Sequence, residues 1–192
     1  MKSVLLRVAP ILAIALAAAP SWAHADTHDA APAMLSQIGQ ATYIAEGHGV
    51  RIVYIFFDPN CLYCHRLYQD LRPWVGRNGL QFRWIPVGML TSSSTPKAAA
   101  ILQSSSPLQA LKRDEKNYSL AAGLDHAGGI APAARIASKV GHDLKANLAL
   151  LVANGVYGVP AMLFRDTRGQ PRLLDGAPAS PSALRGLLRQ VR

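Results

Sequence analysis

Cysteine is scarce in this sequence, with two residues in 192. That excludes a miniprotein stapled by several disulfides, and a site of four thiolates holding zinc or an iron–sulfur cluster. Charge is also scarce, at 16% of residues, and acids are the scarcer sign: 11 against 20 lysines and arginines, for a net charge of +9. Such an excess favours solubility and anionic surfaces without naming a partner. There is no nucleic-acid motif and no interleaving of aromatic with basic residues, so nucleic-acid binding is not expected. Arg185, Arg189 and Arg192 read as a solvated helix face. Internal repeats and Gly/Ser linkers are missing. No apolar run reaches the ~20 residues that a membrane-spanning helix needs. Apolar residues are plentiful, at 50%, which is enough for the packed core of one ordinary domain.

Residues 1–25 have the form of a secretory signal peptide. Lys2 and Arg7 give a positive start, residues 8–19 an apolar run, and Ala23-His24-Ala25 a small-x-small cleavage pattern, with cleavage expected after Ala25. Lys2 and Arg7 leave with that segment, so 18 basic residues remain against 11 acids. The style of the segment is bacterial and points to the periplasm. In that compartment a pair of cysteines can be oxidised and stay so.

The rest of the chain alternates strand and helix signals. Residues 26–33 are polar and contain Pro32, and read as a loose leader. Met34, Leu35, Ile38 and Ala45 suggest a short helix ended by Gly47 and Gly49. Residues 51–57 (RIVYIFF) have the content of a buried central strand. Asp58-Pro59-Asn60 is turn chemistry, and a helix is expected from about Cys61 until Pro73 ends or kinks it. Residues 80–87 read as a second strand, parallel to the first, with Phe82 and Trp84 on one face. Residues 95–154 read as several short helices, the last carrying an apolar stripe of Leu144, Leu148, Leu151 and Val152. Residues 161–164 and 172–174 form strands around a turn at 166–169, and a final helix starts at Ser180-Pro181. The order is β-α-β, helices, β-β-α.

Cys61-Leu62-Tyr63-Cys64 is the one strong chemical motif. Two intervening residues on a first helical turn bring the sulfurs together. Cys61 sits where unpaired backbone N–H groups favour a thiolate, the attacking species in disulfide exchange. Cys64, one turn in, is placed to resolve a mixed disulfide. Leu62 and Tyr63 tune the couple. His65 has two readings, a cation that further stabilises the Cys61 thiolate and a solvated helix residue. Asp58 reads as a turn former rather than a proton relay. Gly158-Val159-Pro160 is the second element: a proline directly before a strand, preceded by valine, suggests a cis bond. The Val159 N–H and C=O would then be free to pair with an extended client chain.

These residues resemble a known family. Residues 52–65, Leu71-Arg72-Pro73-Trp74-Val75, Val87-Gly88, residues 96–102 and Gly158-Val159-Pro160-Ala161 are similar to the catalytic domain of the periplasmic thiol:disulfide interchange proteins DsbG and DsbC, more so to DsbG. The likeness covers about residues 50–190. It implies an α/β thioredoxin fold over residues 50–192, with a helical insertion at about 95–154 between the second strand and the cis-proline strand. It also implies Cys61 as nucleophile, Cys64 as resolving cysteine and Pro160 as the cis-proline facing them. The implied partners are exported proteins with cysteines or disulfides and a membrane electron donor of the DsbD kind, and no cofactor is implied. Residues 26–49 are too short for the family's N-terminal dimerisation domain and read as a remnant of its linker helix, so a monomer is expected. Val159 stands where DsbG and DsbC have threonine, and Leu62 where proline or glycine is familiar.

Three other readings use the same cysteines. Cys61-x-x-Cys64-His65 is also the attachment pattern of c-type haem, with Met89 or Met162 as a sixth ligand. A metal site would need His126 or His142 to join the pair, and a single C-x-x-C is a weak signal for one. A purely structural bridge at this spacing would be strained and therefore labile.

Overall fold

The computed structural model describes residues 27–192, and the expected signal peptide lies outside them. Its strands are β1 (Ile44–Gly47), β2 (Arg51–Phe57), β3 (Leu80–Pro86), β4 (Ala161–Arg165) and β5 (Pro171–Asp175). Its helices are α1 (Thr27–Gln37), α2 (Leu62–Leu71), α3 (Ser94–Gln103), α4 (Pro107–Lys116), α5 (Ser138–Val152) and α6 (Pro181–Gln190). The sheet order is β1-β3-β2-β4-β5. Strands β2 and β3 are parallel, and every other pair is antiparallel.

The apolar run of β2 is apolar because both its faces are covered. Val53, Ile55 and Phe57 join Phe82 and Trp84 of β3 and Met162 and Phe164 of β4 on one face. Leu67 and Leu71 of α2, Leu111 of α4, and Leu184 and Leu188 of α6 close that face. Phe56, Ile85 and Leu163 point the other way, onto Ala31 and Met34 of α1 and Leu150 and Leu151 of α5. A parallel pair buried in this manner reads as continuous hydrophobicity rather than alternation. The middle helices add a small cluster of their own, in which Ala98 and Ala99 pack against Leu144.

Register fixes where the chain ends of these strands meet. Phe56 lies opposite Ala161, and Ala161 lies opposite Asp175. The end of β2, the start of β4 and the end of β5 therefore share one edge of the sheet. The end of β3 joins them through its parallel pairing, with Phe57 opposite Pro86.

Three expectations are corrected. Residues 27–33 are helical rather than a loose leader, because Ala31 and Met34 are fully buried and this packing outweighs the cost of Pro32. The short helix does not run to Ala45. Residues 44–47 form β1, pairing with Gln81 to Trp84, and its Glu46 is buried because Arg72 meets both carboxylate oxygens at 2.6 and 2.7 Å while Trp84 Nε1 donates at 3.1 Å. Helix α5 buries Leu144, Asn147, Leu150 and Leu151, and Val152 is exposed.

Asn147 explains the altered stripe. Its Oδ1 accepts from Thr42 N at 2.9 Å, and its Nδ2 donates to Thr42 O at 3.0 Å and Pro86 O at 2.9 Å. One amide thus joins α5, the entry to β1 and the end of β3. Replacing Asn147 by alanine strands buried backbone groups and should lower the unfolding free energy by about 2–4 kcal/mol, measured by urea denaturation with the slope unchanged.

Candidate active site

The site begins with a turn. Cys61 N donates to Asp58 O at 3.0 Å, and Asn60 N donates to Asp58 Oδ1 at 2.9 Å. This is the arrangement an Asp-Pro-Asn sequence favours. The turn delivers Cys61 as the N-cap of α2, with φ −79° and ψ 116°. Serine, threonine, aspartate and asparagine are the usual residues there, because their side-chain oxygen takes up an unpaired N–H of the first turn. Here sulfur fills that place, as Cys61 Sγ accepts from Cys64 N at 3.2 Å.

Both cysteines are free thiols and both are buried, Cys61 with 4% and Cys64 with 1% of its surface exposed. Their chemistry nevertheless diverges. The Cys61 thiol is pulled below its ordinary range, chiefly by a hydrogen bond from the Cys64 thiol and further by the Cys64 and Tyr63 backbone N–H groups. Burial and the Asp58 carboxylate oppose that shift. Cys64 is pushed well up, first by burial and then by its hydrogen bond and charge interaction with Cys61. The two sulfurs are thus biased in opposite directions, Cys61 toward the thiolate and Cys64 toward the thiol.

The Val159–Pro160 bond is cis. Cys61 Sγ donates to Val159 O at 3.5 Å, which seats the loop before β4 directly against that sulfur. Of the two Val159 groups expected to be free, the carbonyl is therefore engaged while Cys61 carries its proton. Beside it lies a cavity of about 500 Å³ lined by Tyr63, Arg66, Asp70, Val159, Pro160 and residues 176–181. Tyr63 is 61% exposed on its rim. Of the tuning residues, Tyr63 acts on Cys61 through its backbone, and Leu62 is half-buried on the same turn.

His65 fits neither expectation. Its Nδ1 is 2.7 Å from Glu115 Oε2, and its ring stacks on Tyr118 with centroids 4.3 Å apart and planes 9° from parallel. It is neither simply solvated nor among the charges that shift Cys61. Asp58 proves to be more than a turn former. Its Oδ2 accepts from Met89 N at 2.8 Å and Leu90 N at 3.1 Å, and Ser94 Oγ donates to Oδ1 at 2.8 Å, tying the loop after β3 to the turn.

Sequence reasoning passed over Asn60, Lys97, Asp114, Glu115 and Tyr118. Asn60 is fully buried directly before Cys61. Its Nδ2 donates to Thr91 Oγ1 at 2.7 Å and Ser93 Oγ at 2.8 Å, and its Oδ1 accepts from Lys97 Nζ at 2.8 Å and Gly128 N at 3.0 Å. The Lys97 ammonium also donates to Gly128 O at 2.8 Å, and burial lowers its pKa. Gly128 has no alternative, since a Cβ there would stand 2.5 Å from the Pro59 carbonyl oxygen. Only Lys97, a lone charge in the Ala-rich run of α3, carried a local signal.

The other readings of the cysteines find no support. Met162, one of the two candidate sixth ligands of the haem reading, is fully buried in β4. Among the described residues no group of three or more His, Cys, Asp or Glu could hold a metal.

The sequence matches the thioredoxin-like domain family over residues 38–192. The chain belongs to that family. It is 34% identical over 147 residues to the thiol:disulfide interchange protein DsbG of Pseudomonas aeruginosa, covering 76% of this chain and 55% of that protein. It is 42% identical over 64 residues to DsbG of Escherichia coli, covering 33% of this chain and 26% of that protein. The chain thus spans about half, or less, of the length of these curated relatives. Among solved structures, a periplasmic thioredoxin-like protein from Salmonella enterica serovar Typhimurium superposes with a TM-score of 0.60 at 23% identity, covering 77% of this chain and 88% of that one. Wolbachia pipientis α-DsbA2 superposes at 0.59 with 18% identity, covering 84% and 94%. Within this thioredoxin-like fold, α3 to α5 form the expected helical insertion between β3 and β4.

Asp114 supplies a test of the polar interior. It is fully buried, Oδ1 accepts from Ile130 N at 3.0 Å, and Oδ2 has no partner. Burial raises its pKa from 3.8 to about 7. The folded state therefore holds this proton more tightly than the unfolded chain does. The associated stability is complete below pH 3.8 and is lost as pH rises to about 7, at roughly 1.4 kcal/mol per pH unit. Asp114→Asn should flatten the fall in melting temperature across that window and leave the variant more stable than the parent at pH 8.

Proposed function

We propose that the protein is an exported thiol–disulfide oxidoreductase of the bacterial periplasm that exchanges disulfides with exported proteins. The observation that carries this reading is the asymmetry of the pair: Cys61 caps α2 with its thiol pKa lowered, and Cys64 lies one turn inside with its thiol pKa raised. The thiolate of Cys61 attacks one sulfur of a client disulfide. A Cys61–client disulfide forms, and the other client sulfur leaves as a thiolate that takes up a proton. Cys64 then gives up its proton and attacks Cys61 Sγ. The second client thiol departs, leaving a Cys61–Cys64 disulfide and two electrons on the client. Reversed, the same path oxidises a dithiol.

The raised Cys64 pKa would stall the second step if it were fixed. Two of its causes, however, are the hydrogen bond and the charge on Cys61. Both vanish once Cys61 is bound in the mixed disulfide, so the first step eases the second.

Residues 1–25 serve in this reading as the export signal, and the mature protein works as a monomer. Val159 and Pro160 hold the client chain by its backbone beside the cavity. A DsbD-like membrane donor returns the pair to the dithiol. The names of the relatives, DsbG in two organisms, support the reaction class.

Two variants test the chemistry. Cys61→Ala should abolish insulin reduction, and Cys64→Ala should accumulate mixed disulfides visible on non-reducing gels. Full activity of Cys61→Ala would exclude the mechanism. Alkylation of the reduced protein near pH 6.5 should label Cys61 and spare Cys64, as read by peptide mass.

A further inference from the structure

The helical insertion reaches the redox motif through side chains that the exchange chemistry does not itself require. Tyr118, just past α4, donates from its hydroxyl to Asn60 O at 3.0 Å. That oxygen belongs to the peptide group entering Cys61. The peptide group leaving Cys61 is held from the other side, with His65 N donating to Cys61 O at 3.0 Å. The His65 ring stacks on Tyr118, and its Nδ1 pairs with Glu115 at 2.7 Å. Glu115 is 4% exposed, and His65 is its one hydrogen-bond partner among the described residues. Glu115 therefore orients the His65 ring, the ring seats Tyr118 by stacking, and Tyr118 holds the carbonyl before Cys61, while the carbonyl of Cys61 itself is held by the first backbone bond of α2. Cys61 φ and ψ, and with them the direction of Sγ, lie between those two held peptides.

We propose that Tyr118 and Glu115 of the insertion are positioning residues for the exchange reaction: Tyr118 acts through the Asn60 carbonyl and Glu115 through His65, and together they hold Cys61 in its capping geometry. The proposal rests on the thiol-exchange reading of the site.

The physical basis is the dependence of the thiolate on geometry. The Cys61 anion is favoured by the Cys64 thiol, and then by the Cys64 and Tyr63 N–H groups, only while Sγ stays over the first turn of α2. A hydrogen bond weakens steeply as its angle falls, so a looser Asn60–Cys61 peptide costs the thiolate its donors before it costs the fold anything comparable. Tyr118 suits the task because burial, followed by the negative charge of Cys61, pushes its phenol up to about 12. It remains a donor whatever Cys61 does. The Asn60 side chain is tied separately by Lys97, Gly128, Thr91 and Ser93, so the hydroxyl of Tyr118 adds control of the carbonyl rather than of the residue's burial.

The test uses Tyr118→Phe, which keeps the ring stack and deletes the hydroxyl, and Glu115→Gln, which keeps an acceptor for His65 and deletes the charge. The thiolate absorbance of Cys61 is followed near 240 nm against pH in the reduced full-length protein. The rate of iodoacetamide alkylation below the Cys61 pKa and the melting temperature are measured alongside it. Each variant should raise the Cys61 pKa and slow alkylation by about three- to tenfold, the equivalent of one weakened hydrogen bond. The double variant should lose less than the product of the two factors, because both act on one stack. A strap that serves stability alone would lower the melting temperature and leave the titration in place, which would overturn the proposal. A shift in Tyr118→Phe alone overturns the part assigned to Glu115, and a shift in Glu115→Gln alone overturns the part assigned to the Tyr118 hydroxyl. If Tyr118→Phe fails to fold, an unchanged titration in Glu115→Gln is sufficient to reject it. Failure of the wild-type protein to reduce insulin would remove the exchange reading itself, and the titration does not depend on that result.

Discussion

The site depends on one contact, the sulfur of Cys61 standing where a helix cap normally places oxygen, with the Cys64 N–H 3.2 Å away. In that place Cys61 ionises more easily, through the Cys64 thiol first and the Cys64 and Tyr63 N–H groups after it, while Cys64 resists, through burial first and its contact with Cys61 second. An N-cap side chain faces the open amides of the first turn and the positive end of the helix. A residue three positions on faces inward, and here that means Leu67, Phe57 and the rest of the core beneath α2. The functional difference between two chemically identical thiols is thus a consequence of helix geometry. Asp58 supplies the turn, and its negative charge works against both thiolates. The carboxylate is retained because four donors from the turn and from residues 89–94 satisfy it at a place where an apolar residue would leave them unpaired.

Behind the cap the interior is polar, which is costly unless every group is matched. Asn60 shows how the cost is met. Its partners come from the loop after β3, from α3 and from the loop after α4, and no two neighbouring segments could supply them alone. The insertion is therefore a wall of the site as well as a helical cover. Asp114 Oδ2 is the buried side-chain atom among the described residues that remains unmatched, and burial raises the pKa of that carboxyl.

The legible and illegible parts of the structure divide along the same line. β2, α2 and β3 could be read because β-branched and aromatic residues, turn residues and helical spacing all lie within short windows. The cysteine pair could be read because two-residue spacing at a strand-to-helix turn is a local pattern whose first use is disulfide exchange. β1 could not be read: it is four residues long, and its inward Glu46 is tolerated only because Arg72 and Trp84, far along the chain, meet it. Nor could His65, whose partner Glu115 lies 50 residues away. Lys97 and Asn60 look like surface residues in any local window. Their burial is decided by acceptors and donors that only the folded chain brings together.

Convergence at the edge of the sheet finally relates reactivity to recognition. The parallel pairing of β2 with β3 and the antiparallel pairing of β4 bring the capped cysteine and the Val159 carbonyl face to face. The thiol of Cys61 can donate to that carbonyl, and a thiolate or a disulfide sulfur cannot, because neither carries the proton. Ionisation of Cys61 therefore arms the sulfur and releases a backbone acceptor beside the cavity in the same event. In the proposed function a client strand pairing with Val159 would compete with the neutral thiol for that oxygen and would have no such rival in the thiolate. Burial of the site is what keeps the sulfur and this acceptor within reach of one another.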